Sequence, residues 1–336
     1  MSAATMRDVA RLAGVSVKTV SNVVNRTPHV TEATARKVHA AIAELGYRMN
    51  FAARSLSLGR TGMIALAVPQ LSLPYFAELC DDVVEAAERR GYTVLLEQTG
   101  GLREHELAVL ASDRRRMTDG LIFSPTGLRA EDGASLEVPF PMVLLGERPL
   151  NPDVGHVAME NRAGARAVTE HLLRIGRRRI AVVGSYDTGE VGAGYLRTRG
   201  FLDALEAAGV SDDPARHGAA TAWTLQDGAR AMREILDRAD VDAVFALNDV
   251  LALGAVRALD DAGRRVPDDV AVAGFDDIRE AAFVRPRLTT VNPARREIAR
   301  RAVDLLVDQV LDPEAPLARG TVSPAHTLMV RESTTG

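Results

Sequence analysis

The 336-residue chain has a single cysteine, Cys80, so it can form no intrachain disulfide, and its seven scattered histidines offer no Cys/His metal spacing. A reducing cytosol is the compartment that such usage fits. Long apolar runs are missing as well. The longest, Met63 to Val68, falls far short of the roughly 18 residues of a membrane span, and Met1 to Ala10 holds no apolar secretion core. Neither insertion into a membrane nor export is expected. Enzyme signatures are absent too: no P-loop, HExxH, GxSxG or zinc pattern occurs, and Gly189-x-x-Gly192-x-Gly194 lacks the strand-turn-helix setting of a dinucleotide loop. The acid pairs Asp81-Asp82, Asp212-Asp213, Asp260-Asp261 and Asp268-Asp269 fall mostly near the ends of expected elements, where capping and solvation account for them. No catalytic residue, metal or cofactor is expected.

What is present is a globular composition, 46% hydrophobic and 26% charged, in a length that suits two or three domains. The net charge of −4 hides an asymmetry. Residues 1–60 hold nine Lys/Arg against three acids, a net of +6, which leaves 32 bases against 42 acids, a net of −10, in the remainder. A basic head on an acidic body suits a polyanion partner, because clustered Lys/Arg neutralise phosphates and release counterions.

The pattern inside the head sharpens this. Thr5 can cap a helix whose Met6, Val9, Ala10 and Ala13 form one apolar stripe, and Gly14 stops it. Ser16 then caps a second helix with Val20, Val23 and Val24 inward, and so short a glycine turn makes a helix-turn-helix. A third helix from Thr31 buries Ala35, Val38, Ile42 and Leu45 and ends at Gly46. With its valines inside, the second helix presents Val17, Lys18, Ser21 and Asn22 near its N-terminus, where a recognition helix reads bases. Lys18 can donate to a guanine edge, Asn22 can pair with an adenine edge, and Val17 can touch a thymine methyl. Ser16, Thr19, Ser21, Thr31 and Thr34 suit phosphates. The alternative is an ordinary three-helix module with polar residues outside.

Thr5-Met6-Arg7-Asp8-Val9-Ala10, Ala13-Gly14-Val15-Ser16, Thr19-Val20-Ser21, Val23-Val24-Asn25, Val30-Thr31, Leu45-Gly46-Tyr47 and Ala53-Arg54-Ser55-Leu56 together resemble the lactose repressor (LacI-type) family of bacterial transcriptional regulators. The resemblance implies a helix-turn-helix DNA-binding domain over residues 1–46, a hinge over 47–61 and an effector-binding and dimerisation domain over 62–336. It adds Thr5, Asn25, His29, Asn50, Ala53, Arg54 and Leu56 to the DNA-contacting set. In similar repressors the hinge folds on DNA, pairs with its dimer mate and pushes a leucine into the minor groove. Leu56 matches that wedge, with Arg54 near phosphates. A flexible linker with an incidental leucine is the alternative.

Beyond the hinge, short apolar runs alternate with amphipathic stretches. Met63–Val68, Tyr92–Leu96, Leu121–Phe123, Val143–Leu145, Ile180–Val183, Val244–Leu247 and Val270–Ala273 read as buried parallel strands. Phe76–Arg90, Arg162–Ile175, Gly200–Ala208 and Val250–Ala262 read as helices, stopped by Gly91, Gly176, Gly209 and Gly263. The resemblance implies a periplasmic-binding-protein-like α/β body of two doubly wound lobes, residues 62–161 with 292–320, and 162–291 with 321–336.

Ligands of open α/β sheets bind beyond the carboxyl ends of strands. By the resemblance, Tyr75 and Phe76 form a cleft loop, Arg197 meets effector hydroxyls or carboxylates, Trp223 stacks on the effector, and Asp276 accepts from paired hydroxyls. Ser124 and Asn248, both just past strands, join them, with Asp249 as a helix cap. Packing, capping and turn roles remain the alternatives for these residues. One departure is clear: where similar proteins often carry an aspartate after the Val143–Leu145 strand, this chain has Gly146, then Glu147 and Arg148.

The expected function is a sequence-specific regulator, a repressor whose affinity for a pseudo-palindromic operator is set by a small-molecule effector. Trp223 with Asp276 points to a carbohydrate; a purine or other metabolite, or a corepressor logic, is the alternative. The bodies are expected to pair as a homodimer, since no leucine heptads follow Ser333 to form a tetramerising tail.

Overall fold

A computed structural model describes residues 4–24, 30–47, 60–148, 150–185, 192–314 and 320–335. The chain divides into two compact units, Met1–Thr61 and Gly62–Gly336.

In the first unit, α1 (Met6–Ala13) starts at a reciprocal cap in which Asp8 N–H donates to Thr5 Oγ1 at 3.4 Å and Thr5 N–H donates to Asp8 Oδ2 at 3.0 Å. Gly14, at φ 65°, ends it. Ser16 Oγ accepts from Thr19 N–H at 3.0 Å at the start of α2 (Val17–Val24), and Thr31 Oγ1 accepts from Thr34 N–H at 3.4 Å at the start of α3 (Glu32–Leu45). Val9, Ala10, Val20, Val23, Val38 and Ala41 form the core. Leu45, expected inside, is exposed; it lies in the last turn of α3, and Tyr47, just past the helix stop, packs against the core.

The second unit is built on two parallel sheets. The first has the order β2–β1–β3–β4–β5–β11, from β1 (Met63–Val68), β2 (Thr93–Gln98), β3 (Leu121–Phe123), β4 (Met142–Leu145), β5 (Gly155–Val157) and β11 (Thr321–Val322). The helices α4 (Pro74–Arg89), α5 (Arg103–Ala111) and α10 (Arg295–Leu311) belong to this lobe. Its core on one face joins Ile64, Leu66, Ile122 and Val143 to Leu79 and Val83 of α4 and to Ile298, Ala302 and Leu306 of α10. The second sheet runs β7–β6–β8–β9, from β6 (Ile180–Val183), β7 (His217–Gly218), β8 (Ala243–Ala246) and β9 (Ala271–Ala273). On one face it carries α6 (Asn161–Arg174) and α7 (Ala193–Ala207), and on the other α8 (Leu225–Leu236) and α9 (Asp249–Asp261).

Two glycines set the spacing of α8 and α9. A β-carbon at Gly228 would collide with the backbone of Leu251, and one at Gly254 with the backbone of Leu225 and Ala229, so the helices meet backbone to backbone.

The chain crosses between lobes after β5, after β10 (Thr290–Asn292) and after β11; β10 pairs antiparallel with β12 (Thr327–Met329), and the short α11 (Glu332–Thr335) follows. Ser333 Oγ donates to Val272 O at 2.6 Å, which ties this last segment to the second sheet. Thr321 and Val322 pair with His156 and Val157, so they belong to the first sheet and not, as expected from the sequence, to the second lobe. A two-residue strand has no periodicity from which its partner could be read.

Candidate functional site

Each unit carries its own candidate surface. On the head, Val17 and Lys18 are exposed on the first turn of α2, and Ser21 and Asn22 are half-buried on the next. Lys18 has no ion-pair partner among the described residues. The Ser16 and Thr19 hydroxyls lie 2.8 Å apart and those of Thr31 and Thr34 3.0 Å apart, so each pair spends one hydroxyl hydrogen internally and keeps the other for an outside acceptor. Thr5 is committed to its cap, where its hydroxyl donates to Asp8 Oδ2 at 2.6 Å. Asn25, His29, Asn50, Ala53, Arg54 and Leu56 lie outside the described residues.

In the body, the two sheets aim the carboxyl ends of their strands at one cavity of about 520 Å³. Tyr75, Phe76, Ser124, Arg197, Trp223, Asn248 and Asp276, proposed from different stretches of sequence, all line it. The first turn of α4, entered from the loop after β1, brings Tyr75 and Phe76, whose rings meet edge to face at 5.3 Å between centroids. Ser124 follows β3, Asn248 follows β8 and Asp276 follows β9.

Arg197, on α7, is 2% exposed and fully engaged. Its Nε donates to Asn161 Oδ1 at 2.7 Å, Nη1 donates to Leu247 O at 2.5 Å, and Nη2 is directed at Met159 Sδ at 3.5 Å. The guanidinium carbon lies 3.8 Å from the Phe275 ring centre and 5.8 Å from that of Trp223. Nη2 is also 3.1 Å from Asp276 Oδ1, but its hydrogens do not point along that line, so this buried oxygen has an ion-pair partner and no hydrogen bond among the described residues. Burial pushes the Asp276 carboxyl up to about 6 in spite of Arg197. Burial, reinforced by Asp276 and Glu147, pushes the Tyr75 phenol far above its ordinary value, so it stays a hydrogen-bond donor.

Two cavity residues sit in left-handed or positive-φ backbone, Trp223 at 54° and Asp276 at 112°. Gly194 lets the indole lie close, since a β-carbon there would sit 3.2 Å from the ring. The capping assignment at α9 is reversed from expectation. Asn248 is the cap, its Oδ1 accepting from Leu251 N–H at 2.8 Å, which leaves its amide nitrogen without a partner among the described residues. Asp249 is instead fully buried, accepting from Thr290 Oγ1 at 2.5 Å and Ile278 N–H at 3.0 Å, with its carboxyl pushed well above the usual range by burial and then by Asp276.

Glu147 is the main residue the sequence reading did not place in the site. It lines the cavity from the end of β4, and its Oε1 accepts from Asn161 Nδ2 at 3.1 Å. The strand-end rule that singled out Ser124 applied to it equally. Asn161, 1% exposed, thus connects Glu147 of the first lobe to Arg197 of the second. A separate cavity of about 370 Å³ lies at the amino-terminal edge of β4, beside Pro141 and Met142, and none of the expected residues reaches it.

The match to known proteins covers both units. Residues 5–50 match the model of bacterial regulatory proteins of the lacI family, and residues 169–334 match a periplasmic binding protein-like domain. The HTH-type transcriptional regulator CelR of Thermobifida fusca is 37% identical, over 98% of this chain and 98% of its own. A solved CelR–cellobiose complex superposes with a TM-score of 0.71 at 34% identity over 98% of this chain and 99% of its own. The lac repressor dimer bound to operator and the anti-inducer ONPF does so with a TM-score of 0.83 at 27% identity, over the whole of both chains. A capped helix-turn-helix head, a two-lobed body with a polar cavity and full-length similarity converge: the chain belongs to the LacI family, and is a DNA-binding transcriptional regulator governed by a small-molecule effector.

Proposed function

We propose that the protein is a homodimeric repressor that reads a pseudo-palindromic operator through α2 and is controlled by a sugar bound in the 520 Å³ cavity. The observation that carries the sugar reading is the convergence of the Tyr75, Phe76 and Trp223 rings with Ser124, Asn248 and Asp276 in one cavity. Aromatic faces suit the C–H face of a pyranose, and side-chain acceptors and donors suit its hydroxyls. The cellobiose complex of the similar regulator CelR supports the same class.

In the head, Val17, Lys18 and Asn22 read bases, while Ser16, Thr19, Ser21, Thr31 and Thr34 hold phosphates. Asn25, His29, Asn50, Ala53 and Arg54 extend the DNA contact, with Leu56 as the minor-groove wedge. Phe283, 86% exposed on the second lobe, is the most exposed large hydrophobic among the described residues and the side chain we offer as a contact for the dimer partner. A ligand that prefers the body conformation holding the hinges apart releases DNA, and one that prefers the other conformation acts as corepressor.

Trp223, the only tryptophan, makes the test direct. Its fluorescence is followed against a panel of sugars, and operator binding is then measured with each sugar that changes it. A sugar that shifts both supports the proposal; DNA binding indifferent to every sugar that binds defeats it.

A further inference from the structure

The charges around the cavity are unevenly committed, and this bears on which sugars fit. Arg197 is the one cation among the described lining residues. Its Nε and Nη1 are spent on Asn161 and Leu247 O, and its Nη2 faces Met159 and Asp276. One face of the guanidinium is covered by Phe275 at 3.8 Å. The parallel pair of N–H groups that a phosphate or carboxylate would take from an arginine is therefore not on offer. Arg295, a second cation whose charge reaches Asp276 and Tyr75, does not line the cavity and is held by two carboxylates, with Nη1 2.5 Å from Glu78 Oε2 and Nε donating to Asp82 Oδ2 at 2.8 Å.

Acceptors, by contrast, are free. Glu147 reaches the cavity from the first lobe and Asp276 from the second. Glu147 Oε1 is taken by Asn161, and its Oε2 has no hydrogen bond among the described residues; Asp276 Oδ1 is buried beside Arg197 Nη2, and its Oδ2 likewise has no hydrogen bond among the described residues. The Tyr75 hydroxyl and the Asn248 amide nitrogen supply donors. A group that both donates and accepts, an alcohol, satisfies all four. An anionic group satisfies only the donors and sets a third negative charge against two carboxyls with one committed cation between them.

Resting on the sugar reading above, we infer that the cavity selects an uncharged polyhydroxyl ligand and that Glu147 is the residue that rejects phosphorylated and carboxylated sugars. It stands two residues past the end of β4, after Gly146, where its side chain lines the cavity wall.

The test uses the full-length protein and matched probes: cellobiose against cellobionate, maltose against its 6-phosphate, and glucose against gluconate and glucose 6-phosphate. Trp223 fluorescence and calorimetry read the affinity. The neutral member of at least one set binds, and its anionic counterpart binds at least tenfold more weakly. Glu147→Gln keeps the Asn161 acceptor and narrows that gap by about tenfold, whereas Asn248→Ala weakens the neutral sugar and leaves the gap wide. An anionic probe that binds as tightly as its neutral partner overturns the charge selection and leaves the sugar reading intact. A gap unchanged in Glu147→Gln removes the role of Glu147. Binding of no probe, neutral or anionic, overturns the sugar reading and this inference with it.

Discussion

Arg197 Nη2 lies 3.1 Å from Asp276 Oδ1, yet burial outweighs that attraction and leaves the Asp276 carboxyl with a raised pKa of about 6. The folded protein therefore holds, between roughly pH 4 and pH 6, a proton that the unfolded chain has already released. This group's contribution to stability is greatest at acid pH, falls as the pH rises through that window, and levels off above it. Asp276→Asn removes the slope, so the difference in unfolding free energy between variant and wild type should shift in the variant's favour from pH 4 to pH 7, by an amount on the order of 2 kcal/mol. A difference that stays flat across that range contradicts the placement of the charge.

The same titration acts on ligand binding with the opposite sign. A sugar hydroxyl donates to the ionised carboxylate, so affinity should strengthen as the pH rises through about 6 and then plateau. Fluorescence titrations of Trp223 at a series of pH values follow this directly, and Asp276→Asn should show no such step.

Arg197→Lys keeps a positive charge but loses the planar fork. Asn161 Oδ1 and Leu247 O, both buried, would lose their donors, with a loss of about 2–4 kcal/mol in stability. We expect the effector response to disappear while operator binding survives at a temperature where the variant is folded. Retention of a full response would show that Arg197 does not organise the cavity.

In the head, Lys18→Ala should cost about 1–3 kcal/mol on the operator and little on random duplex, because a base contact is sequence-specific and a phosphate contact is not. Leu56→Ala should likewise weaken operator binding more than nonspecific binding, and relax DNA bending. Equal losses on operator and random DNA would reassign either residue to the backbone.

Phe283→Asp should dissociate the dimer, read as a halved mass in analytical ultracentrifugation at micromolar concentration. Where a large aromatic is a central anchor of an interface, its removal costs about 2 kcal/mol or more. A dimer of unchanged stability would place the interface elsewhere.

Much of this architecture is legible in the sequence. Gly14 and Gly46 end the head helices, and Gly91, Gly176, Gly209 and Gly263 follow body helices, all at positive φ, because a left-handed position penalises every residue with a β-carbon. The strands β1, β3 and β6 match their apolar runs residue for residue, since a strand buried on both faces is a continuous run. What escaped were the pieces decided by distant partners. β5, β7 and β10 to β12 are two or three residues long and owe their existence to the neighbours they pair with. The spacing of Ile298, Ala302 and Leu306 marks α10 as a helix, but not that it packs on the first sheet, which lies far behind it in the chain. Asn248 and Asp249 are both good caps, so local preference could not say which one caps and which is buried. Asn161 reads as an ordinary helix residue until Glu147 and Arg197 are brought to either side of it.

The glycine contact between α8 and α9 has a mechanical consequence. Trp223 comes just before the Thr224 cap of α8, and Asn248 is itself the cap of α9, so two walls of the cavity are the leading tips of two helices pressed together with no side chains as cushion. Such a pair has no slack in which one helix slides past the other. A push delivered at either tip is therefore expected to move α8 and α9 together.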